Sequence, residues 1–148
     1  MQLDIKNHQK ASLGHLFSRV GRMLTGHAIS KVHDAGFPEV RESWLPILQH
    51  VEEEGIRSID LANKLSISKQ AANQMVKEIQ KQGYLERAPD PDDKRAQLIT
   101  LTEQGWQAWV IGLKAMAEME RRLEKQLGLD NVNRMRNQAA IIENILRA

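Results

Sequence analysis

Gln70, Asn73, Gln74 and Lys77 recur at the i, i+3, i+4, i+7 spacing that places them on one face of a helix, with Lys69 beside them. Ala72, Met75, Val76 and Ile79 repeat that spacing on the opposite face and supply a packing side. A face built only for solubility tends to use Glu and Lys. Carboxamides can instead meet a base edge bidentately, and lysine reaches guanine or phosphate. Ser68 opens the run as a good N-cap, and its hydroxyl joins N–H groups at a helix N-terminus, where a phosphate is favoured.

A second set of cations follows. Arg87, Lys94 and Arg95 surround a Pro-rich tip, Pro89-Asp90-Pro91-Asp92-Asp93, which is predicted to turn because it suits neither a regular strand nor a helix interior. Such a tip projects positive charge away from the core, towards a minor groove or a phosphate. Asp90 and Asp93 fit this role if one of them pairs with Arg95 and fixes its direction, since a tethered guanidinium loses less entropy on binding.

The elements that must position these groups are mostly helices. Leu13, Leu16, Phe17, Val20, Leu24 and Ala28 predict a long first helix from about Lys6 to Ala35, stopped by Gly36-Phe37-Pro38. Trp44, Ile47, Leu48 and Val51 predict a second helix ending at Gly55, with Ser43 as N-cap so that Pro46 falls in its first turn. A short helix from Ser58 to Leu65, the tight turn Ser66-Ile67-Ser68 and a helix from Ser68 to Gln82 then give a helix-turn-helix layout. Tyr84–Ala88 and Ala96–Leu101 read as the two strands of a hairpin. Thr102 caps another long helix with a stripe of Trp106, Trp109, Val110, Leu113, Met116, Ala117 and Leu123, closed by Gly128. Asp130 opens a last helix with Val132, Met135, Ala139, Ile142 and Leu146 on one face. The first and last helices have too few partners within one chain to bury these stripes, so association about a two-fold axis is expected, setting two reading helices on successive turns of DNA.

Four segments together resemble the MarR family of transcription regulators: Ser68-Lys69-Gln70-Ala71-Ala72, Gly83-Tyr84-Leu85-Glu86-Arg87, Asp90-Pro91-Asp92-Asp93-Lys94-Arg95 and Leu101-Thr102-Glu103-Gln104-Gly105. The similarity is sharpest from about Ile56 to Gly105. It implies a mainly α fold with a small β-hairpin wing, a winged helix-turn-helix joined to a helical dimerisation domain. By that resemblance residues 38–101 are the DNA-binding region, and residues 1–37 and 102–148 the dimerisation region. It also implies a homodimer on double-stranded DNA with an inverted-repeat operator, acting as a repressor and modulated by a small-molecule effector bound between the two regions. By motif position DNA contact falls on the run from Ser68 to Lys77 and on Arg95, which reaches the minor groove with Asp93 as its orienting partner; with the hairpin cations read above, the expected contact set is Ser68, Lys69, Gln70, Asn73, Gln74, Lys77, Arg87, Lys94 and Arg95.

Composition narrows the other classes. The chain has 148 residues, is 41% hydrophobic and carries a net charge of +2, so it can bury a core, and a nucleic-acid partner is allowed but not demanded. It holds no cysteine, which removes disulfides, thiolate metal sites and cysteine nucleophiles. No apolar run is long enough to span a membrane and Met1 to Lys10 is polar, so a cytoplasmic protein without a membrane partner is expected. His8, His15, His27, His33 and His50 form no compact ligand motif, and they read as solvated or pocket-edge groups rather than metal ligands. Trp44, Trp106 and Trp109 read first as core, with a ligand pocket as their other use. Glu52-Glu53-Glu54 reads as a solvated helix end, and no phosphate loop or catalytic triad appears, so neither an enzyme nor a cofactor is expected. The alternative from another class is a winged helix used as a protein-interaction adaptor, with the amide face turned to a protein.

Overall fold

The computed structural model describes residues 12–93 and 95–147. Lys94 and the stretch from Lys6 to Ala11, including His8, lie outside the described residues. Helix α1 spans Leu13–Asp34. It ends as the sequence requires: Phe37 N–H reaches back to Val32 O at 3.2 Å and Gly36 N–H to His33 O at 3.0 Å.

The second helix is much shorter than its apolar spacing suggests. A 3-10 turn at Glu42–Trp44 leads into α2, Leu45–Leu48. Ser43 lies inside the 3-10 turn and caps nothing; the chain enters that turn from Arg41 with no side-chain cap. Pro46 does fall in the first turn of α2, where its missing N–H has no partner to lose. The helix closes because His50 and Val51 bond three residues back, to Ile47 O and Leu48 O. Glu52-Glu53-Glu54 is therefore exposed loop rather than helix end.

Helices α3 (Ser58–Leu65) and α4 (Lys69–Lys81) fall at the predicted places. Between them Ser66 takes the left-handed conformation (φ 54°, ψ 39°), and Ile67 N–H returns to Ala62 O at 3.1 Å. Two strands of the sheet were expected, β2 (Leu85–Pro89) and β3 (Gln97–Leu101), paired antiparallel from Leu85↔Leu101 to Pro89↔Gln97. Pro89 is thus the last residue of β2 rather than part of the tip. A third strand, β1 (Ile56–Arg57), pairs with β3 and gives the order β1-β3-β2. Two residues are too few to show alternation, so β1 left no periodic signal. Gly55 admits it to the sheet: at φ 83°, a Cβ there would lie 2.8 Å from Thr100 Cγ2.

One core joins these elements, with Trp44, Ile47, Leu61, Val76, Ile79, Tyr84 and Ile99 all buried. The Tyr84 ring stands edge-on to Phe37 at 6.4 Å and tilted against Trp44 at 5.4 Å.

Helices α5 (Glu103–Leu127) and α6 (Leu129–Arg147) complete the chain. The buried face of α5 differs from the large-residue stripe expected. Gly105, Ala108 and Ala115 are its buried residues, whereas Trp106 and Trp109 are half-buried and Val110 and Leu113 exposed. Small residues let α1 lie close, with Ala28 and Val32 buried on that helix and a Cβ at Gly112 only 3.6 Å from Val32 Cγ2. The larger side chains are displaced to the flanks. On α6 Val132 is buried and Ile142 half-buried, whereas Met135, Ala139 and Leu146 of its apolar stripe are exposed.

Candidate nucleic-acid interface

Helix α4 is amphipathic as its spacing requires. Ala72, Val76 and Ile79 are fully buried and fix the helix against the core. Full burial of such side chains stabilises by about 1.5–3 kcal/mol for each valine or isoleucine. Ser68 caps the helix, its Oγ accepting from Ala71 N–H at 3.1 Å. The first N–H groups of the helix then point outward at its positive end. On the solvent side Lys69, Gln70, Asn73, Gln74 and Lys77 line one shallow surface, and all but half-buried Asn73 are exposed.

The wing lies beside that surface. Lys69, Asn73, Arg87 and Arg95 share a notch between α4 and the hairpin, together with Arg57. The structure therefore brings Lys69 of the helix together with Arg87 and Arg95 of the wing, while Lys77 lies further along the α4 face and Lys94 lies outside the described residues. Arg87 is not a free cation. Its Nη2 donates to Asn73 Oδ1 at 2.8 Å and its Nη1 to Ser58 Oγ at 3.2 Å. One guanidinium so ties β2 to both helices of the helix-turn-helix.

The two wing acids have different partners. Asp93 Oδ1 accepts from the backbone N–H of Arg95 at 3.0 Å, so it shapes the turn instead of holding the guanidinium. Asp90 is only 4% exposed and pairs with Arg57, whose Nε lies 2.6 Å from Asp90 Oδ2. Asp90 Oδ1 also accepts from Asp92 N–H at 2.8 Å. That N–H and then Arg57 hold the Asp90 carboxyl below its ordinary range, against the opposing effect of burial. The same partnership raises Arg57. Arg57 precedes Ser58 directly, and its role escaped sequence reading because only pairing in β1 carries it under the wing.

A second feature lies between the helices. Residues of α1, α2 and α5 enclose an apolar cavity of about 220 Å³, lined by Ala28, Ile29, Leu48, Ala108, Trp109 and Met116 among others. Thr25, Gln49 and Tyr84 bring the polar atoms. The Tyr84 hydroxyl donates to Glu39 Oε2 at 2.9 Å, and burial pushes its pKa upward. Trp109 thus lines the cavity, while Trp44 is core, its indole N–H without a hydrogen-bond partner among the described residues. His33 Nε2 lies 2.7 Å from Val40 O, His27 and His50 are half-buried, and His15 is exposed. Among the described residues no helix is long and apolar enough to cross a membrane.

Two helices joined by a tight turn, backed by a three-stranded sheet whose hairpin stands beside the second helix, define a winged helix-turn-helix protein. Residues 40–96 match the MarR family. The chain is also 31% identical over 115 residues to YdgJ, an uncharacterized HTH-type transcriptional regulator of Bacillus subtilis, covering 73% of this chain and 69% of that one. The chain belongs to the MarR family of transcriptional regulators. Its fold is shared by a mutant MarR from E. coli complexed with operator DNA (TM-score 0.69, 20% identity, 96% of this chain and 99% of that one). It is shared equally by CouR from Rhodococcus jostii RHA1 bound to p-coumaroyl-CoA (TM-score 0.67, 24% identity, 90% and 92%).

Proposed function

We propose that this MarR-family regulator is a repressor that binds an inverted-repeat operator as a homodimer. Helix α4 enters the major groove with Ser68, Lys69, Gln70, Asn73, Gln74 and Lys77, and the wing approaches the minor groove with Lys94 and Arg95. The observation that carries this reading is one continuous surface, in which the amide and lysine face of α4 runs into the cationic notch beneath the wing. The operator DNA in the E. coli MarR complex supports it. Arg87 acts from inside the interface, through Asn73.

Residues 38–101 form the DNA-binding region, and residues 1–37 and 102–148 the dimerisation region. Supporting the dimer are exposed apolar side chains on the outer helices: Leu13 (64% exposed), Phe17 (51%) and Met23 (70%) on α1, with Ile145 (67%) and Leu146 (80%) on α6. A soluble protein rarely leaves so much apolar surface without a partner. The cavity between the two regions is the effector site, since about 150 Å³ of apolar cavity already holds benzene. A ligand there lowers DNA affinity only if it prefers the conformation that does not bind DNA. The protein works in the cytoplasm, without a catalytic step or cofactor.

The test is selection of bound sequences from a random duplex pool by the purified protein. Enrichment of an inverted repeat, with half-sites about one helical turn apart, is the expected result. A folded dimer that enriches no sequence at low salt would sink the operator and favour the adaptor alternative.

A further inference from the structure

The contact between Arg87 and Asn73 restricts what Asn73 can recognise. A guanidinium has donors only, so the Asn73 atom lying 2.8 Å from Arg87 Nη2 must be the carboxamide oxygen. The guanidinium cannot turn away easily, because its other arm donates to Ser58, a buried residue at the start of α3. Arg87 itself is held in the sheet opposite Ile99. The Asn73 side chain is half-buried on the wing side of α4 and shares the outward surface with Gln70 and Gln74. Its oxygen therefore faces the wing, and the Nδ2 hydrogens are the atoms left to present outward.

An asparagine reads adenine by accepting from N6 and donating to N7 with both carboxamide atoms. Here the accepting atom already serves a cation, and an adenine amino group brought to it would also meet the positive charge of Arg87. Guanine offers the opposite edge, with N7 and O6 both accepting. Two outward hydrogens with a guanidinium behind them complement that edge. Resting on the reading that α4 enters the major groove, we propose that Arg87 locks the Asn73 carboxamide as a donor, so that the protein selects guanine and rejects adenine at the base pair Asn73 faces. Arg87 is then a positioning residue for specificity, and Gln70 and Gln74, which make no such contact among the described residues, keep both carboxamide atoms for reading.

The experiment is the same duplex selection, run with wild type, Asn73→Ala, Asn73→Asp and Arg87→Met, followed by competition with operators altered at the column that Asn73→Ala relaxes. Wild type should enrich guanine in that column, with adenine at least roughly five-fold weaker, the lower end of a good side-chain–base discrimination. Asn73→Asp keeps an oxygen on Arg87 but turns an acceptor outward, so guanine should be lost and a base with an amino donor gained. Arg87→Met frees the carboxamide to rotate, and adenine should recover. Should Arg87→Met not fold, the wild-type and Asn73→Asp columns decide alone. Adenine in the wild-type column, or no column that depends on Asn73, overturns this inference and leaves the operator reading standing. A folded wild type that enriches nothing overturns the operator reading and this inference with it.

Discussion

The joint between the wing and α5 is tight enough to reverse the usual effect of a glycine-to-alanine change. A Cβ added at Gly105 would lie 2.1 Å from Tyr84 O, 3.0 Å from Leu101 Cδ2 and 3.1 Å from Tyr84 C. Close carbon–oxygen contacts settle at about 3.3–3.6 Å, so Gly105→Ala must separate helix and strand by roughly 1 Å. Tyr84 cannot yield freely. Its carbonyl accepts from Thr102 N–H at 3.2 Å, its own N–H donates to Ile79 O at 3.2 Å, and its ring is 1% exposed. Overpacking of this kind costs about 1–3 kcal/mol, and loss of the Thr102 bond adds about 1 kcal/mol. Alanine returns about 0.5–1 kcal/mol as the better helix former. The balance is a loss of about 2 kcal/mol, or roughly 4–8 °C in Tm for a chain near this size. Gly112→Ala, in the same helix, is the control. Its Cβ would meet Val32 Cγ2 at an ordinary 3.6 Å, so only the helix term acts and stability should rise by about 0.5–1 kcal/mol. Thermal denaturation at one fixed protomer concentration, followed by circular dichroism, reads both. Gly105→Ala melting at or above the wild-type temperature would refute the close approach of Tyr84 to α5.

Three further outcomes follow from the same geometry. Arg95→Ala should weaken binding to specific and random duplexes alike and lower the slope of log affinity against log salt by about one, read by fluorescence anisotropy; an unchanged slope removes Arg95 from the interface. Asp90 is held below its ordinary value, chiefly by the Asp92 N–H and then by Arg57, so its stabilising contribution is complete above the ordinary carboxylate range and disappears as pH falls through the lowered folded value. Wild type should therefore lose stability as pH drops below about 4, and Asp90→Asn should flatten that part of the curve; identical acid titrations would count against the pair under the wing. Phe17 borders a groove with Ala139, Ile142 and Leu146, and Phe17→Glu places a charge in the proposed dimer face. Sedimentation velocity should show dissociation at concentrations where wild type is dimeric, and a wild type that sediments as a monomer would reject the dimer.

Legibility in the sequence followed the range of the forces involved. Helices α3 and α4 were placed closely because their signals are local: an apolar repeat runs through each, the Ser66-Ile67-Ser68 turn separates them, and Ser68 caps the second. The same locality marked out the outward face of α4, since a helix fixes which side chains share a side. The length of α2 was missed because Trp44, Ile47, Leu48 and Val51 are all buried, and burial alone does not separate a helical run from a packed turn. On α5, size misled the reading. Large apolar residues draw attention, but the close approach of α1 demanded small ones.

Sequence by itself determined the helix-turn-helix, the hairpin, the cationic tip and the amide face, together with the resemblance that named the family. Each of these is written in residues close along the chain. Only the tertiary structure decided which charge meets which. Arg57 and Asp90 are 33 positions apart, and Arg87 and Asn73 are 14 apart. Pairing within a sheet and the crossing of strand and helix bring them together. A carboxylate chooses its partner by reach and burial, not by adjacency, so Asp90 took the arginine that β1 delivers beneath it rather than the one that follows it in the wing.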